Sequence, residues 1–419
     1  MNILRTINLI IALIFLICYF YQFVYIAIVI AKKNKKKYPK GTPHKYACLV
    51  SARNESRVIG DLLDSIKNQT YPSELITVFV IADNCTDNTA DIAREHGAVV
   101  YERQNKELIG KGYALDTLIK SIDRDYGDIF DGYFVFDADN VLKKDFIDEM
   151  NNTFSAGYDI VTSYRNSKNY GDNWISAGYA LWYLRESRYL SHARSIINSS
   201  CAVSGTGFLF SRRIKNKMGG WPYHLLTEDI EFSVSEIIDG EKIGFAPDAE
   251  LYDEQPVTFR QSWKQRLRWS KGYYQVFGKY GCGLVKGMLK GNFACFDMCM
   301  SIMPAAVLSM VTIICNVILG TLIIVNKGFT TELAWLVINM VRGAYETLFI
   351  VGTITTITEW KKINLGSFRK ILYMFTFPIF MLTYIPISVV AIFKKVTWQP
   401  IEHHGSKSNL SAKTEKPEP

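Results

Sequence analysis

Residues Ile7 to Ala31 carry no charged side chain. A helix of roughly 20 apolar residues crosses the hydrocarbon core of a bilayer. The stretch therefore limits the chain to folds that start in or pass through a membrane. A secretory leader has a shorter apolar part and a small-residue cleavage site. No such site follows Ala31, so an uncleaved span is expected. A dense basic run comes next: Lys32, Lys33, Lys35, Lys36, Lys37, Lys40 and Lys45, with no acid among them. Alone it would fit a solvated linker or a nucleic-acid patch. Beside a span it reads as a flank kept on the cytoplasmic side. The expected partner is thus the bilayer and not nucleic acid, with the N-terminus outside and the following region inside.

Three more apolar segments lie near the C-terminus, at about 298–325, 333–358 and 371–393. The middle one contains Arg342 and Glu346, four residues apart on one helix face. Charges at that depth are costly and usually face a bundle interior or a water-filled cavity. A self-neutralising pair and a polar conduit fit equally well. Four complete crossings would leave the tail outside. Yet the tail after Phe393 has five Lys against three Glu, and Lys394 and Lys395 abut the span, which should keep it inside. The segment 371–393, with Pro378 and Pro386, is the candidate for a re-entrant or interfacial stretch.

The apolar fraction of 48% excludes a disordered chain, and the mean hydropathy of +0.04 averages membrane and soluble parts. The net charge is +8. The eight Cys show no metal-like spacing, and those inside should be reduced thiols. The sequons at Asn54, Asn68, Asn84 and Asn151 would lie on the cytoplasmic side and stay unglycosylated.

Between about 44 and 280 the periodicity alternates. Strands are expected at Tyr46–Ser51, Leu75–Ala82, Gly97–Tyr101, Tyr133–Phe136 and near Ile160–Tyr164. Helices are expected at Arg57–Gln69, Thr86–His96, Lys111–Ile122 and near Lys144–Phe154. This alternation predicts an α/β domain with a mostly parallel sheet covered on both faces. Ligands bind such sheets beyond the carboxyl ends of the strands.

Polar residues gather at those ends. The first strand runs into Ser51-Ala-Arg-Asn-Glu55. The second ends in Asp83, whose carboxylate can accept from ribose hydroxyls or a base imino group. Asp87 nearby fits helix-cap chemistry better. The strand at Tyr133–Phe136 runs into Asp137-Ala-Asp139, two hard oxygen donors that suit Mg2+ or Mn2+ holding a diphosphate. Thr227-Glu228-Asp229 opens a helical pattern. An N-cap with acids in the first turn and a general base facing the cleft are equally consistent with it. Gln265-Arg-Leu-Arg-Trp269 lies in a basic aromatic helix, Phe259–Phe277. Arg there can neutralise a diphosphate and an aromatic face can stack on a sugar, and the same helix can lie on the bilayer.

In this order, Asp83, Asp137-Ala-Asp139, Thr227-Glu-Asp229 and Gln265-Arg-Leu-Arg-Trp269 strongly resemble the D, DxD, TED and Q(Q/R)xRW motifs of the membrane-embedded, inverting family-2 glycosyltransferases. Cellulose, curdlan, chitin and hyaluronan synthases belong to that group. The resemblance covers about 44–280 and implies a GT-A fold, a UDP-sugar donor and Mg2+ or Mn2+. It puts Asp83, Glu55, Lys111, Asp137 and Asp139 at the donor, with Asp137 and Asp139 on the metal. Asp229 would be the base. Gln265, Arg266, Arg268, Trp269 and Glu228 would serve the acceptor and the diphosphate. Ser204-Gly-Thr-Gly-Phe-Leu-Phe-Ser-Arg-Arg213 is similar to a Gly-containing segment on the acceptor side. Val396-Thr-Trp398-Gln-Pro-Ile-Glu-His403 is similar to a segment that closes over donor from the cytoplasmic side.

The resulting expectation is a multi-pass plasma-membrane enzyme. Residues 1–31 form a transmembrane helix, 32–43 a basic linker and 44–253 a cytoplasmic GT-A domain. Residues 254–292 form interfacial helices with the acceptor motif, 293–393 a transmembrane region and 394–419 a polar tail. The leading reading is processive, inverting synthesis of a β-linked polysaccharide coupled to export. The alternative is a single transfer to a polyprenyl phosphate or glycolipid. Bacterial cellulose synthases carry more spans than the four segments here, which leaves room for a second copy of the chain or an accessory export protein as partner. An inactive transporter or scaffold is disfavoured by the intact Asp-x-Asp and Thr-Glu-Asp.

Overall fold

The computed structural model of the chain describes residues 2–32, 37–327, 331–401, 403 and 405. Lys33, Lys35 and Lys36 of the basic run and most of the polar tail lie outside the described residues.

The chain opens with α1 (Asn2–Ala31). An α/β domain follows with β1 (Tyr46–Ala52), α2 (Ile59–Lys67), β2 (Ile76–Asp83), α3 (Thr89–Glu95), β3 (Val99–Arg103), α4 (Lys111–Tyr126) and β4 (Gly132–Asp137). These strands alternate with helices, as the periodicity predicts, and β3-β2-β1-β4 pair in parallel. Cys48, Leu49 and Val50 are wholly buried, consistent with a central strand that faces helices on both sides.

The second half of the sheet departs from simple alternation. β5 (Val141–Leu142), α5 (Phe146–Ser155), β6 (Ile160–Ser167), α6 (Trp174–Arg185), α7 (His192–Ile196), β7 (Phe208–Ser211), α8 (Arg212–Met218), α9 (Glu228–Ile238) and β8 (Ile243–Asp253) complete it. The eight strands lie in the order β3-β2-β1-β4-β7-β6-β8-β5, with β7 antiparallel to both β4 and β6. The sequence shows no alternating signal for β7 and β8. β7 is only four residues long, and β8 carries Pro247 where the register with β6 shifts between Ser163 and Tyr164. A proline is tolerated at such an irregularity because no ladder bond is lost.

The membrane-proximal part begins with α10 (Phe259–Leu289), a 31-residue helix that runs well past the expected Phe277. Next come α11 (Phe293–Ile302), α12 (Pro304–Lys327), α13 (Thr331–Thr358), α14 (Ser367–Leu382) and α15 (Tyr384–Phe393). A buried ion pair fastens α1 to the soluble domain: Arg194 on α7 donates to both carboxylate oxygens of Asp297 on α11 at 2.7 and 2.8 Å. Tyr21 and Tyr25 of α1 donate to the same carboxylate at 2.9 and 2.7 Å.

Among the described residues four segments are long and apolar enough to cross a membrane: Ile3–Ala31, Val307–Asn326, Thr331–Thr358 and Ser367–Phe393. The fourth is unlike the others in its contacts. At its start Arg369 and Tyr373 donate to the Gly171 carbonyl, at 3.3 and 3.4 Å. In its middle Phe380 packs on Tyr179 of α6, with ring centroids 4.9 Å apart. At its end Tyr274 and Lys271 of α10 donate to the Ser388 and Ile392 carbonyls, at 3.0 and 3.3 Å. A helix leaving for the far side of a roughly 30 Å core would part from the soluble domain, whereas α14 and α15 stay on it throughout. Their outward residues Phe368, Ile371, Leu372, Phe375 and Ile379 form an exposed apolar stripe, and Tyr345 in the middle of α13 donates to the Phe375 carbonyl, as in a segment that dips into the bilayer and returns.

Cysteines introduced at Phe368 and at Phe393, both exposed, should therefore react with a membrane-impermeant maleimide from the same face of sealed vesicles. Labelling from opposite faces would show that the segment crosses.

Candidate active site

The carboxyl ends of β1, β2 and β4, the first turn of α9 and one face of α10 enclose a single cavity of about 470 Å³. Glu55, Asp83, Asp137, Asp139, Glu228 and Asp229 all line it. Lys111, Gln265, Arg268 and Trp269 line it too. Residues spread over nearly the whole α/β domain thus meet because each leaves the sheet, or approaches it, at the same edge.

Asp83 is buried at the end of β2, and Arg103 at the end of β3 donates to it at 2.5 Å. Asp87 braces the turn before α3, accepting from the Thr89 and Ser56 amides at 3.1 and 3.2 Å, while the N-cap residue Asn88 makes no side-chain cap bond. Asp137 is partly exposed and pairs with Lys111. Lys111 also donates to the Gly205 carbonyl at 2.7 Å and stands 3.9 Å from Glu228. Burial by itself would lower the Lys111 ammonium, but the carboxylates of Asp137 and Glu228 outweigh it and hold the pKa above the ordinary range. Asp139 is buried and accepts from the Glu254 amide at 2.8 Å.

The loop before β7 passes beneath these groups. Thr206 accepts from the Asp137 amide at 2.9 Å. Gly207 has φ +65, and a Cβ there would stand 1.8 Å from Leu251. Only glycine meets both demands.

Burial and the neighbouring Asp229 charge push Glu228 up to about 7, with Lys111 opposing. Burial also raises Asp229, again against Lys111. A buried carboxylate with a raised pKa facing a cleft is the environment of a general base. Thr227 precedes α9 without making a side-chain cap bond, and its hydroxyl is buried with no partner among the described residues.

Across the cavity, the Gln265 carbonyl oxygen and the Arg268 Nε are likewise buried and unpartnered among the described residues. Such orphans point to groups that a ligand satisfies. Arg266 is not among the lining residues, although its Nε and Nη2 are also buried without a partner among the described residues. Its guanidinium donates to the Phe380 carbonyl at 3.1 Å and the Thr383 hydroxyl at 2.6 Å, and it lies 4.4 Å over the Phe380 ring. Helical geometry puts Gln265, Arg268 and Trp269 on one face and turns Arg266 about 100° away from Gln265. Expected at the acceptor or diphosphate, Arg266 lies off the cavity wall, where it ties α10 to α14.

The tail reaches this cavity. Trp398, Pro400, Ile401 and His403 line it. His403 Nδ1 is 2.9 Å from Glu55, and its Nε2 is 3.9 Å from Asp139. Burial would lower the imidazole, but Asp139 and Glu55 raise it to about 10. Residues 55 and 403 therefore stand on one side of any membrane.

Several lining residues carry no sequence motif. Arg165, at the end of β6, donates to Asp253 at 2.7 Å and to the Ser204 carbonyl at 2.7 Å, and lies 3.7 Å over the Tyr183 ring. Burial raises Asp253 to about 6 against Arg165. The one signal for both residues was position at a strand end, and β8 was not recognised as a strand.

Among the described residues no group of three or more His, Cys, Asp and Glu converges on a metal position. Asp137 and Asp139 still fit Mg2+ or Mn2+, which bind through one or two carboxylates and complete their shell with phosphate oxygens and water.

A family model described as glycosyltransferase like family 2 matches residues 43–272. A probable glycosyltransferase, YdaM, of Bacillus subtilis (strain 168) is 26% identical over 289 residues, 64% of this chain and 62% of that protein. The beta-monoglucosyldiacylglycerol synthase of Synechocystis sp. is 26% identical over 57% of this chain and 50% of its own length. The poly-beta-1,6-N-acetyl-D-glucosamine synthase of Staphylococcus epidermidis is 26% identical over 54% of each. The chain thus spans 50% to 62% of the length of these curated relatives. Among solved structures, the mannosyltransferase PcManGT of Pyrobaculum calidifontis, in complex with GDP-Man and Mn2+, superposes with TM-score 0.60. That match covers 92% of this chain and 98% of that one at 15% identity, a likeness of fold.

Arg266→Ala should lower the unfolding temperature, because lost hydrogen bonds to a charged group cost about 1.5–3 kcal/mol each. Binding of a diphosphate-bearing ligand by the folded fraction should be unchanged. Arg268→Ala should weaken that binding at unchanged unfolding temperature. Calorimetric titration beside a thermal melt separates the two, and the reverse pattern would reject the assignment.

Proposed function

The chain belongs to glycosyltransferase family 2, and from that premise we propose an inverting hexosyltransferase that moves a sugar from a UDP-sugar to an acceptor hydroxyl delivered from the bilayer surface. One observation carries the reading. The cavity that holds Asp83, Asp137, Asp139 and Asp229 continues without a break to Ser309 on α12 and Ile385 and Ser388 on α15. Its polar end suits a nucleotide, and its other end opens at the membrane-proximal helices.

In this reading Asp83 and Glu55 serve the nucleoside, and Asp137 and Asp139 the diphosphate. A divalent cation on these two carboxylates, as Mn2+ accompanies GDP-Man in the PcManGT complex, would neutralise the leaving diphosphate. Lys111 and Arg268 add fixed positive charge on the same ligand. Asp229 takes the acceptor proton as the hydroxyl oxygen attacks the anomeric carbon. The bond from that carbon to the diphosphate oxygen breaks on the opposite face, and its electron pair leaves with the diphosphate. An α-linked donor gives a β-glycoside. No covalent sugar intermediate is required, because a single base and a stabilised leaving group suffice.

The geometry favours a lipid-borne acceptor. In this reading α14 and α15 dip beside α13 and return to the soluble domain, so α1, α12 and α13 are the full crossings. Three helices cannot by themselves enclose a passage wide enough for a sugar chain. This arrangement also returns the tail to the side of Glu55 and suits a cytoplasmic catalytic domain at the plasma membrane. A growing polysaccharide is the second reading, favoured by Trp269 as a sugar-stacking face in the cavity and by the poly-beta-1,6-N-acetyl-D-glucosamine synthase relative.

Asp229→Asn should reduce transfer roughly 100- to 10,000-fold, the usual worth of a general base, with donor binding retained. Since the base acts deprotonated and its pKa is raised, wild-type kcat/KM should fall with decreasing pH on a limb above about 4, the ordinary aspartate value. Normal turnover in the Asn variant, or an unshifted limb, would reject Asp229 as base.

Purified enzyme in nanodiscs with lipid extract, Mn2+ or Mg2+ and a panel of labelled UDP- and GDP-sugars should yield an organic-soluble product bearing one β-linked sugar. High-mass aqueous polymer from the donor alone would establish the second reading instead.

A further inference from the structure

Helix α13 packs on α14 through one face. Tyr345 donates to the Phe375 carbonyl at 3.0 Å, the Phe349 and Phe375 rings stand 4.9 Å apart, and Gly352 admits Phe377. A second face, about 100° around the helix from the first, is uncovered among the described residues and carries Trp335, Asn339, Arg342, Gly343, Glu346 and Ile350, all exposed. Arg342 and Glu346 pair with each other at 2.7 Å, yet their side chains remain 68% and 55% exposed. They lie 11 and 15 residues past Thr331, roughly 17 and 23 Å along the helix axis at 1.5 Å per residue, which is mid-depth in the bilayer. Ionised side chains at that depth ordinarily face protein or water rather than lipid. The expected self-neutralising pair is present, but it does not remove the need for cover.

We propose that a second copy of this chain covers this face, with the two α13 helices side by side about a two-fold axis along the membrane normal. Two copies in one bilayer share their orientation, so this axis keeps equivalent residues at equal depth. The face is then self-complementary. Arg342 of each copy can reach Glu346 of the other, one turn away, and the four charges close into a ring with no net charge. Gly343 lies beside them with nothing within 4 Å of where a Cβ would stand. A residue without a side chain at that point lets two backbones approach closely, as small residues do in membrane helix pairs. The pairing involves no residue of the catalytic cavity, so it stands or falls apart from the transfer reaction.

Charge complementation tests it. Two differently tagged copies are co-expressed, extracted directly into nanodiscs, and the recovery of one tag with the other is measured. Wild-type copies should co-purify. Arg342→Glu copies should not pair with one another, and neither should Glu346→Arg copies. Recovery should fall roughly tenfold or more, the factor set by about 1.4 kcal/mol of lost interaction. An Arg342→Glu copy with a Glu346→Arg copy restores both cross-pairs and should recover association. Gly343→Leu, which leaves the charges intact, should also separate the copies, and covers the case in which charge variants fail to insert. Monomeric wild-type protein, failure of the complementary variants to associate, or recovery of a different polypeptide in place of the second copy would overturn the proposal.

Discussion

One edge of the sheet concentrates negative charge. Nine carboxylates line a single cavity: Glu55, Asp83, Asp137, Asp139, Glu186, Glu228, Asp229, Asp253 and Glu254. Carboxylates so close and so buried cannot all ionise without compensation. The fold supplies it from Lys111 at the start of α4, Arg103 at the end of β3, Arg165 at the end of β6 and His403 in the tail. The residue of that balance appears as Glu228 held near 7 and Asp253 near 6. A site so short of positive charge suits a cation or a cation-carrying diphosphate. The α/β framework, the glycine loop under Asp137 and the reach of the tail all follow from keeping this edge assembled.

Two buried arginines hold this edge against the membrane-proximal helices. Arg194 joins α7 to Asp297 of α11, where two tyrosines of α1 share the carboxylate. Arg266 joins α10 to the break between α14 and α15. Breaking a buried pair leaves an uncompensated charge, which costs far more than the pair contributes over an apolar replacement. Both contacts therefore specify where helices dock more than they add to stability. They set the mouth of the cavity between α12 and α15 rather than out in solvent.

Much of this was legible in the sequence, for a physical reason. β1, β2 and β4 are apolar runs ending in acids, and a parallel sheet brings such ends together wherever its strands lie. The halves of the domain that were not legible lack that signature. β7 is short and enters antiparallel, and β8 contains Pro247 at a register shift, so neither shows a clean period. Arg165 and Asp253 were missed with them. The hydropathy of residues 371–393 indicates an apolar helix but not its direction, because lipid and an apolar protein groove demand the same side chains. Gly178, which admits the Phe380 ring, decides between them, and its role appears only when α6 is in place.

The pentapeptide Gln265-Arg-Leu-Arg-Trp269 shows how a short run can serve two environments at once. An α-helix turns adjacent residues by about 100°. Gln265, Arg268 and Trp269 therefore share the cavity face while Arg266 and Leu267 cannot. Leu267 packs with Ile387 and Ala391 of α15, and Arg266 takes the Phe380 carbonyl. The two arginines differ in chemistry as a result. Arg266 has no solvent exposure and lies off the cavity wall, with Nη1 on the Phe380 carbonyl and Nε and Nη2 unpartnered among the described residues. Arg268 lines the cavity beside Trp398 of the tail, its Nε unpartnered among the described residues. A ligand anion that engages Arg268 thus meets a helix already fixed to the membrane-side layer, and the orientation of that cation is settled before substrate arrives.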